Sequence, residues 1–235
     1  MDPMKTNQFT KPQFSVHPEG IKFGLIFAAI AFLLWHCHHF LGYLGALLTG
    51  WCFYFFRNPN RITPLKSGLV ISPADGIVSQ IIEVVPTLET GLPPELHTRI
   101  SIFMNVFNVH VNRIPIEGKL TYLYYHAGKF LNASLDKASE HNERQCFIVE
   151  TKNHIKIGFV QIAGLVARRI RCDVVKGQEV MTGQRFGLIR FGSRVDVYLP
   201  KGIAPLVMEG QIMIAGETVL ADLGSAEPAR LGVIR

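Results

Sequence analysis

The chain has 235 residues, room for one ordinary domain with a membrane segment or for two small domains. With 48% hydrophobic and 18% charged residues it is too apolar for a disordered or solvating protein, and its net charge of +6 favours anionic partners such as nucleic acid or acidic lipid. The basic residues are scattered, which argues against a nucleic-acid tail. Cys37, Cys52, Cys146 and Cys172 have neither CxxC spacing nor a regular framework, the pattern of a reduced, cytoplasmic setting.

Residues 1–20 carry Pro3, Pro12 and Pro18 without periodicity and read as a flexible tail. From Phe23 to Phe56 no Asp, Glu, Lys or Arg occurs. That run is too long for a secretory signal, and no small-residue cleavage site follows it, so it is expected to stay on the mature protein. It divides at His36–His39 into Ile21–Trp35 and Phe40–Phe56, each short of the ~20 residues of a spanning helix. A membrane-associated helical hairpin over residues 21–56, dipping into one leaflet, fits best; one long tilted span and a buried hairpin in a soluble core are the alternatives. Lys5, Lys11 and Lys22 precede the hairpin and Arg57, Arg61 and Lys66 follow it, which puts both ends on the cytoplasmic face of the cell membrane. His36-Cys37-His38-His39 reads as a polar tip and not a metal site, since no distant ligands accompany it.

After Arg57 short runs rich in Val, Ile, Phe and Tyr follow one another between Gly, Pro, Asn and Asp. Strands are expected at Gly68–Ser72, Gly76–Val84, Thr98–Asn105, Gly118–Tyr125, Gln145–Thr151, Ile155–Ile162, Leu165–Ile170, Arg185–Arg190 and Val195–Tyr198. Leu131–Arg144 is a polar interruption, a loop or a short helix. Ser72–Val78 and Val175–Val180 are strand–turn–strand units similar to those of biotinyl and lipoyl carrier domains, a likeness that carries no chemistry. The fold class is therefore mainly β, a sandwich or barrel-like domain over residues 57–235 behind an apolar helical hairpin.

Five ordered stretches carry a more specific signal. They are Ser72-Pro73-Ala74-Asp75-Gly76, Phe103–Pro115 around Asn108-Val109-His110-Val111, His126-Ala127-Gly128-Lys129-Phe130-Leu131-Asn132-Ala133-Ser134, Gln161–Ile170, and Gly187–Pro200 around Gly192-Ser193. Together they resemble the short, archaeal-type branch of the phosphatidylserine decarboxylases over most of residues 55–200. The resemblance implies a proenzyme that cuts itself between Gly192 and Ser193 into a β chain (1–192) and an α chain (193–235). These would form a heterodimer in which Ser193 has become a pyruvoyl cofactor. It also implies decarboxylation of phosphatidylserine, a membrane lipid, to phosphatidylethanolamine. Asp75 is assigned to self-cleavage and His110 to protonation after CO2 leaves.

The chemistry has a physical logic of its own. A serine becomes an electrophile only by losing its amine. The Ser193 hydroxyl attacks the Gly192 carbonyl, and the ester so formed is a good leaving group. Elimination and hydrolysis then leave a ketone able to take up a substrate amine as a Schiff base and act as an electron sink. Gly192 permits the backbone angles this attack needs. On its own His110 would read as a core histidine and Asp75 as a turn residue; the surrounding motifs assign them.

One departure stands out. Longer members of the family carry a second histidine three residues after the one matching His110, and here that position is Arg113. The base that activates Ser193 is therefore open, with His126 and His141 as substitutes. Arg113, Lys129, Arg144, Arg168 and Arg169 are available for a phosphate or carboxylate. Competing readings are a non-catalytic membrane-anchored adaptor or carrier, a decarboxylase of archaetidylserine, and a serine hydrolase. For the hydrolase the Gly-x-Ser-x-Gly elbow is lacking.

Overall fold

The structure is a computed structural model and describes residues 15–128, 142–164, 169–190, 192–230 and 232–233. The chain divides into two compact units, residues 1–60 and 61–235.

The first unit is a pair of helices, α1 (Pro18–Cys37) and α2 (His39–Phe55). Pro18 opens α1, where its missing N–H costs nothing, and the His17 ring accepts from Glu19 N at 3.2 Å. His38 is extended at φ −160°, which ends α1, and its Nδ1 accepts from Phe40 N at 3.2 Å to cap α2. The polar tip read from sequence is thus a cap between two helices. Gly20, Gly24, Ala31, Gly42 and Gly45 are buried between the helices, where small side chains allow close approach. Leu25, Phe32, Leu33, Phe40 and Leu47 point outward and are exposed. The caps lengthen α1 beyond Ile21–Trp35 to 20 residues, long and apolar enough to cross a bilayer. Pro18–Gly20, read as tail from the sequence, belong to α1, and residues 1–14 lie outside the described residues.

The second unit contains β1 (Leu69–Ile71), β2 (Gly76–Val84), β3 (His97–Met104), β4 (Val111–Arg113), β5 (Gly118–His126), β6 (Arg144–Glu150) and β7 (Lys156–Ala163). It continues with β8 (Ile170–Cys172), β9 (Glu179–Val180), β10 (Arg185–Ile189), β11 (Ser193–Pro200), β12 (Ile212–Met213) and β13 (Val219–Asp222). An eight-stranded sheet in the order β12-β2-β3-β11-β7-β6-β5-β9 curls into a half-barrel. A three-stranded sheet, β4-β10-β8, and the pair β1-β13 complete the unit, and all pairings are antiparallel. Phe147 and Phe159 stack at 4.8 Å on the inner face of the large sheet, and Phe186 of β10 meets them edge-on at 4.9 and 5.3 Å. The inner face therefore carries the core, with Ile100, Ile102, Met104, Val195 and Val197 fully buried beside them.

The mainly β expectation holds, and the strand at Gly76–Val84 begins and ends where the alternation places it. The strands without a sequence signal, β4, β12 and β13, have two to four residues, too few to display a period, while β9 is the second strand of the Val175–Val180 unit. The strand expected at Leu165–Ile170 is found as Ile170–Cys172, residues 165–168 lying outside the described residues. Of the polar interruption 131–144, residues 131–141 lie outside them too, and Arg144 already belongs to β6.

Gly76 sits at φ +154°, and a Cβ there would lie 2.2 Å from the Phe103 carbonyl oxygen in the β2–β3 ladder. Gly76→Ala should cost about 2 kcal/mol or more. Thermal unfolding of the full chain in detergent should show this as a drop of ~4–8 °C; an unchanged midpoint would mean that β2 is not held against β3 as described.

Candidate active site

Ser193 opens β11, with Met104 of β3 opposite on one side and Ala163 of β7 on the other. Directly opposed residues of an antiparallel ladder share a face, and Met104 and Ala163 belong to the core, so Ser193 points to the inner face. It is fully buried, and its Oγ has no hydrogen-bond partner among the described residues. Such a buried hydroxyl costs about 1–3 kcal/mol, which makes it a candidate reacting group. Gly192 before it sits at φ +53° with nothing within 4 Å of a Cβ, so backbone conformation and not space calls for glycine. A buried hydroxyl directly after a left-handed glycine is placed next to the Gly192 carbonyl as a candidate nucleophile.

His110 lies at the end of the loop from β3 to β4. Asn105 and Asn108 shape that loop: Asn108 Oδ1 accepts from Asn105 N at 2.9 Å and Asn105 Oδ1 from Phe107 N at 2.8 Å. The His110 carbonyl accepts from Ile189 N at 3.3 Å, which puts the residue beside the end of β10, where the chain turns toward Gly192. Its Nδ1 is 3.0 Å from the Asn108 carbonyl oxygen. A carbonyl can only accept, so Nδ1 carries a proton, and Nε2 is the atom through which the ring exchanges one.

Asp75 precedes β2. Both its oxygens accept from Arg61 Nη2, at 3.0 and 2.8 Å, and Oδ1 also accepts from Ala215 N at 2.8 Å. Gly76, its neighbour, is one strand removed from β3 and two from Ser193. Arg113 is buried on β4 and donates to the Gly183 carbonyl at 2.8 Å. Burial, with Arg185 and Arg61 close by, pushes its guanidinium down to about 10 against the opposing pull of Asp75 and Glu217. It is still a cation at neutral pH and cannot stand in for a basic histidine.

His126 lies on the other side of the sheet. It is opposite Arg144, Arg144 is opposite Ile162, and Ile162 is opposite Arg194, the neighbour of Ser193. All four share the outer face, so the structure separates His126 from Ser193 by the thickness of the sheet. Its Nδ1 lies 3.4 Å from Glu89 Oε1, and Arg144 also pairs with Glu89. The Arg169 carbonyl accepts from Arg190 N at 3.4 Å, two residues before Gly192. Lys129, His141 and Arg168 lie outside the described residues.

Three residues of this region escape the sequence reading. Arg61, the partner of Asp75, reads as a charge flanking the membrane segment. Asn112 and Gln161 are fully buried and joined by a hydrogen bond of 2.7 Å from Gln161 Nε2 to Asn112 Oδ1. A usable signal existed: Gln161 alternates with Ile157, Phe159 and Ala163 at core parity, where an amide is out of place.

Residues 48–221 match the family model described as phosphatidylserine decarboxylase. The chain is 57% identical over 227 residues to a protein of Cereibacter sphaeroides named phosphatidylserine decarboxylase proenzyme, covering 97% of each. Proteins with the same name from Ruegeria pomeroyi and Rhodospirillum rubrum are 58% identical over 215 residues (92% of this chain, 97% of the relative) and 57% identical over 221 residues (94% of each).

The face assignment has a direct test. His126→Ala should leave the peptide bond between residues 192 and 193 to its wild-type fate, followed on denaturing gels over time. A block at this step in a folded variant would place the imidazole on the inner face.

Proposed function

Since the chain belongs to the phosphatidylserine decarboxylase family, we propose that it decarboxylates phosphatidylserine to phosphatidylethanolamine after cutting itself between Gly192 and Ser193. The observation that carries this reading is the buried Ser193 hydroxyl, without a partner among the described residues, directly after a left-handed glycine. The bacterial relatives favour phosphatidylserine over archaetidylserine and leave no reason to prefer a non-catalytic carrier.

In self-cleavage Ser193 Oγ bonds to the Gly192 carbonyl carbon, the Gly192–Ser193 C–N bond breaks, and the hydroxyl proton ends on the freed nitrogen. Loss of the Ser193 Cα proton then expels the Gly192 carboxylate, and water displaces ammonia to leave a pyruvoyl group. That group supplies the electron sink for loss of CO2 from the serine headgroup. His110, with Nδ1 tied to Asn108, delivers the proton to the substrate carbon through Nε2. Asp75 serves self-cleavage by fixing the bend into β2, through Arg61 and Ala215.

The topology supports a mature heterodimer. Residues 193–235 contribute β11, paired with β3 and β7, β12, paired with β2, and β13, paired with β1. The Asp75–Ala215 and Lys66–Asp222 contacts also join residues on opposite sides of the cut. The apolar helices of residues 18–55, with Lys22 near one end and Arg57 just past the other, support attachment to the cell membrane from its cytoplasmic face.

Purified protein should run as one species under native conditions and as two chains under denaturing ones, with a small chain that resists Edman sequencing. Ser193→Ala should stay whole and inactive; an active, uncut Ser193→Ala enzyme contradicts the cofactor. His110→Ala should split normally yet lose about 10²–10⁴-fold in turnover. If it stays whole while folded, His110 belongs to the cutting step.

A further inference from the structure

Gln161 is buried, polar and unused by the mechanism above. It lies on β7 two residues before Ala163, the residue opposite Ser193, and is itself opposite Val195. Positions 161 and 163 of β7 share the inner face with 193 and 195 of β11, so Gln161 and Ser193 are diagonal neighbours about 7–8 Å apart along the sheet. The Gln161 amide has a fixed sense. Its Nε2 donates to Asn112 Oδ1 at 2.7 Å, and Asn112 Nδ2 in turn lies 3.6 Å from the sulfur of Met104, the other residue opposite Ser193. Gln161 Oε1 is then left as a buried acceptor without a partner among the described residues. Ser193 Oγ is a buried donor in the same condition, one strand away on the same face.

We propose that the Asn112–Gln161 amide pair is a positioning device for self-cleavage: Gln161 Oε1 accepts the Ser193 hydroxyl proton in a hydrogen bond and aims the oxygen at the Gly192 carbonyl. The inference rests on the self-cleavage reading above. A hydrogen bond between Gln161 Oε1 and Ser193 Oγ would satisfy two buried atoms that each lack a partner among the described residues. An amide oxygen is too weak a base to remove the proton, so Gln161 sets direction only and the proton passes to another group. Asn112 acts one step further back by holding Nε2, which leaves Oε1 as the atom presented to Ser193. The bonds made and broken are those of the acyl shift already described; neither amide gains or loses an atom.

The test uses the full-length precursor, made in a cell-free system with detergent and followed by the appearance of the two chains on denaturing gels. Gln161→Met keeps the shape but removes the acceptor, and cleavage should slow by about 10²-fold, as expected when a reacting atom is misplaced. Because the base is untouched, the slowing should be uniform across pH, with the midpoint of the rate profile unmoved. Asn112→Leu, which frees the amide to turn, should slow cleavage as well, and combined with Gln161→Met should add little, as for residues acting as a unit. Wild-type cleavage by Gln161→Met, or a shifted pH midpoint, overturns the proposal. Should Gln161→Met fail to fold, normal cleavage by folded Asn112→Leu overturns it equally. If the wild-type precursor never cleaves, the self-cleavage reading itself has failed, a result distinct from these.

Discussion

Everything in this chain's chemistry depends on how β11 is held. The strand is clamped along eight residue pairs by β3 and along six by β7, and its first residue is Ser193. A serine at the head of a doubly paired central strand cannot drift, whereas the residue before it, Gly192, lies outside the ladder in a conformation that few side chains tolerate. Rigid strand and free turn meet at the Gly192–Ser193 bond. The same ladders would keep the small chain in place after that bond is cut.

The face that Ser193 joins is as important as its position. On the inner side lie the aromatic core of Phe147, Phe159 and Phe186 and the buried amides of Asn112 and Gln161. On the outer side Arg194 and Asp196 are buried together and joined at 2.8 Å, and Glu89 gathers Arg144 and His126. A one-residue slip of β11 would exchange these environments, putting a guanidinium into the core and the serine among charges. The cost of moving the Arg194–Asp196 ion pair into the apolar core, and of losing the burial of Val195 and Val197 there, opposes that slip.

Much of this was legible in the sequence, for identifiable reasons. The helical pair follows from an uncharged apolar run broken by histidines, and β2, β3, β5, β6 and β7 are long enough for alternation to mark them. The site was legible only in part. Ser193 and Gly192 stand in a long motif, but the partners of Asp75 do not: Arg61 lies 14 positions before it and Ala215 140 after it, and only the folded chain brings them together. His126 sits in a family-like stretch, while the odd or even register that sends it to the outer face depends on three successive strand pairings. Arg113 marks a departure whose consequence, a buried cation beside Asp75 and Arg61 where a base was expected, emerges only from burial and neighbours.

The central claim is that Ser193 ceases to be a serine, and the most direct measurement is the intact mass of the small chain from purified, active protein. The account predicts a chain of residues 193–235 that is lighter, by one ammonia, than the same peptide with a free amino-terminal Ser193, its first residue having become a ketone. An active enzyme whose small chain begins with an unmodified serine, or whose full chain is uncut, would contradict it.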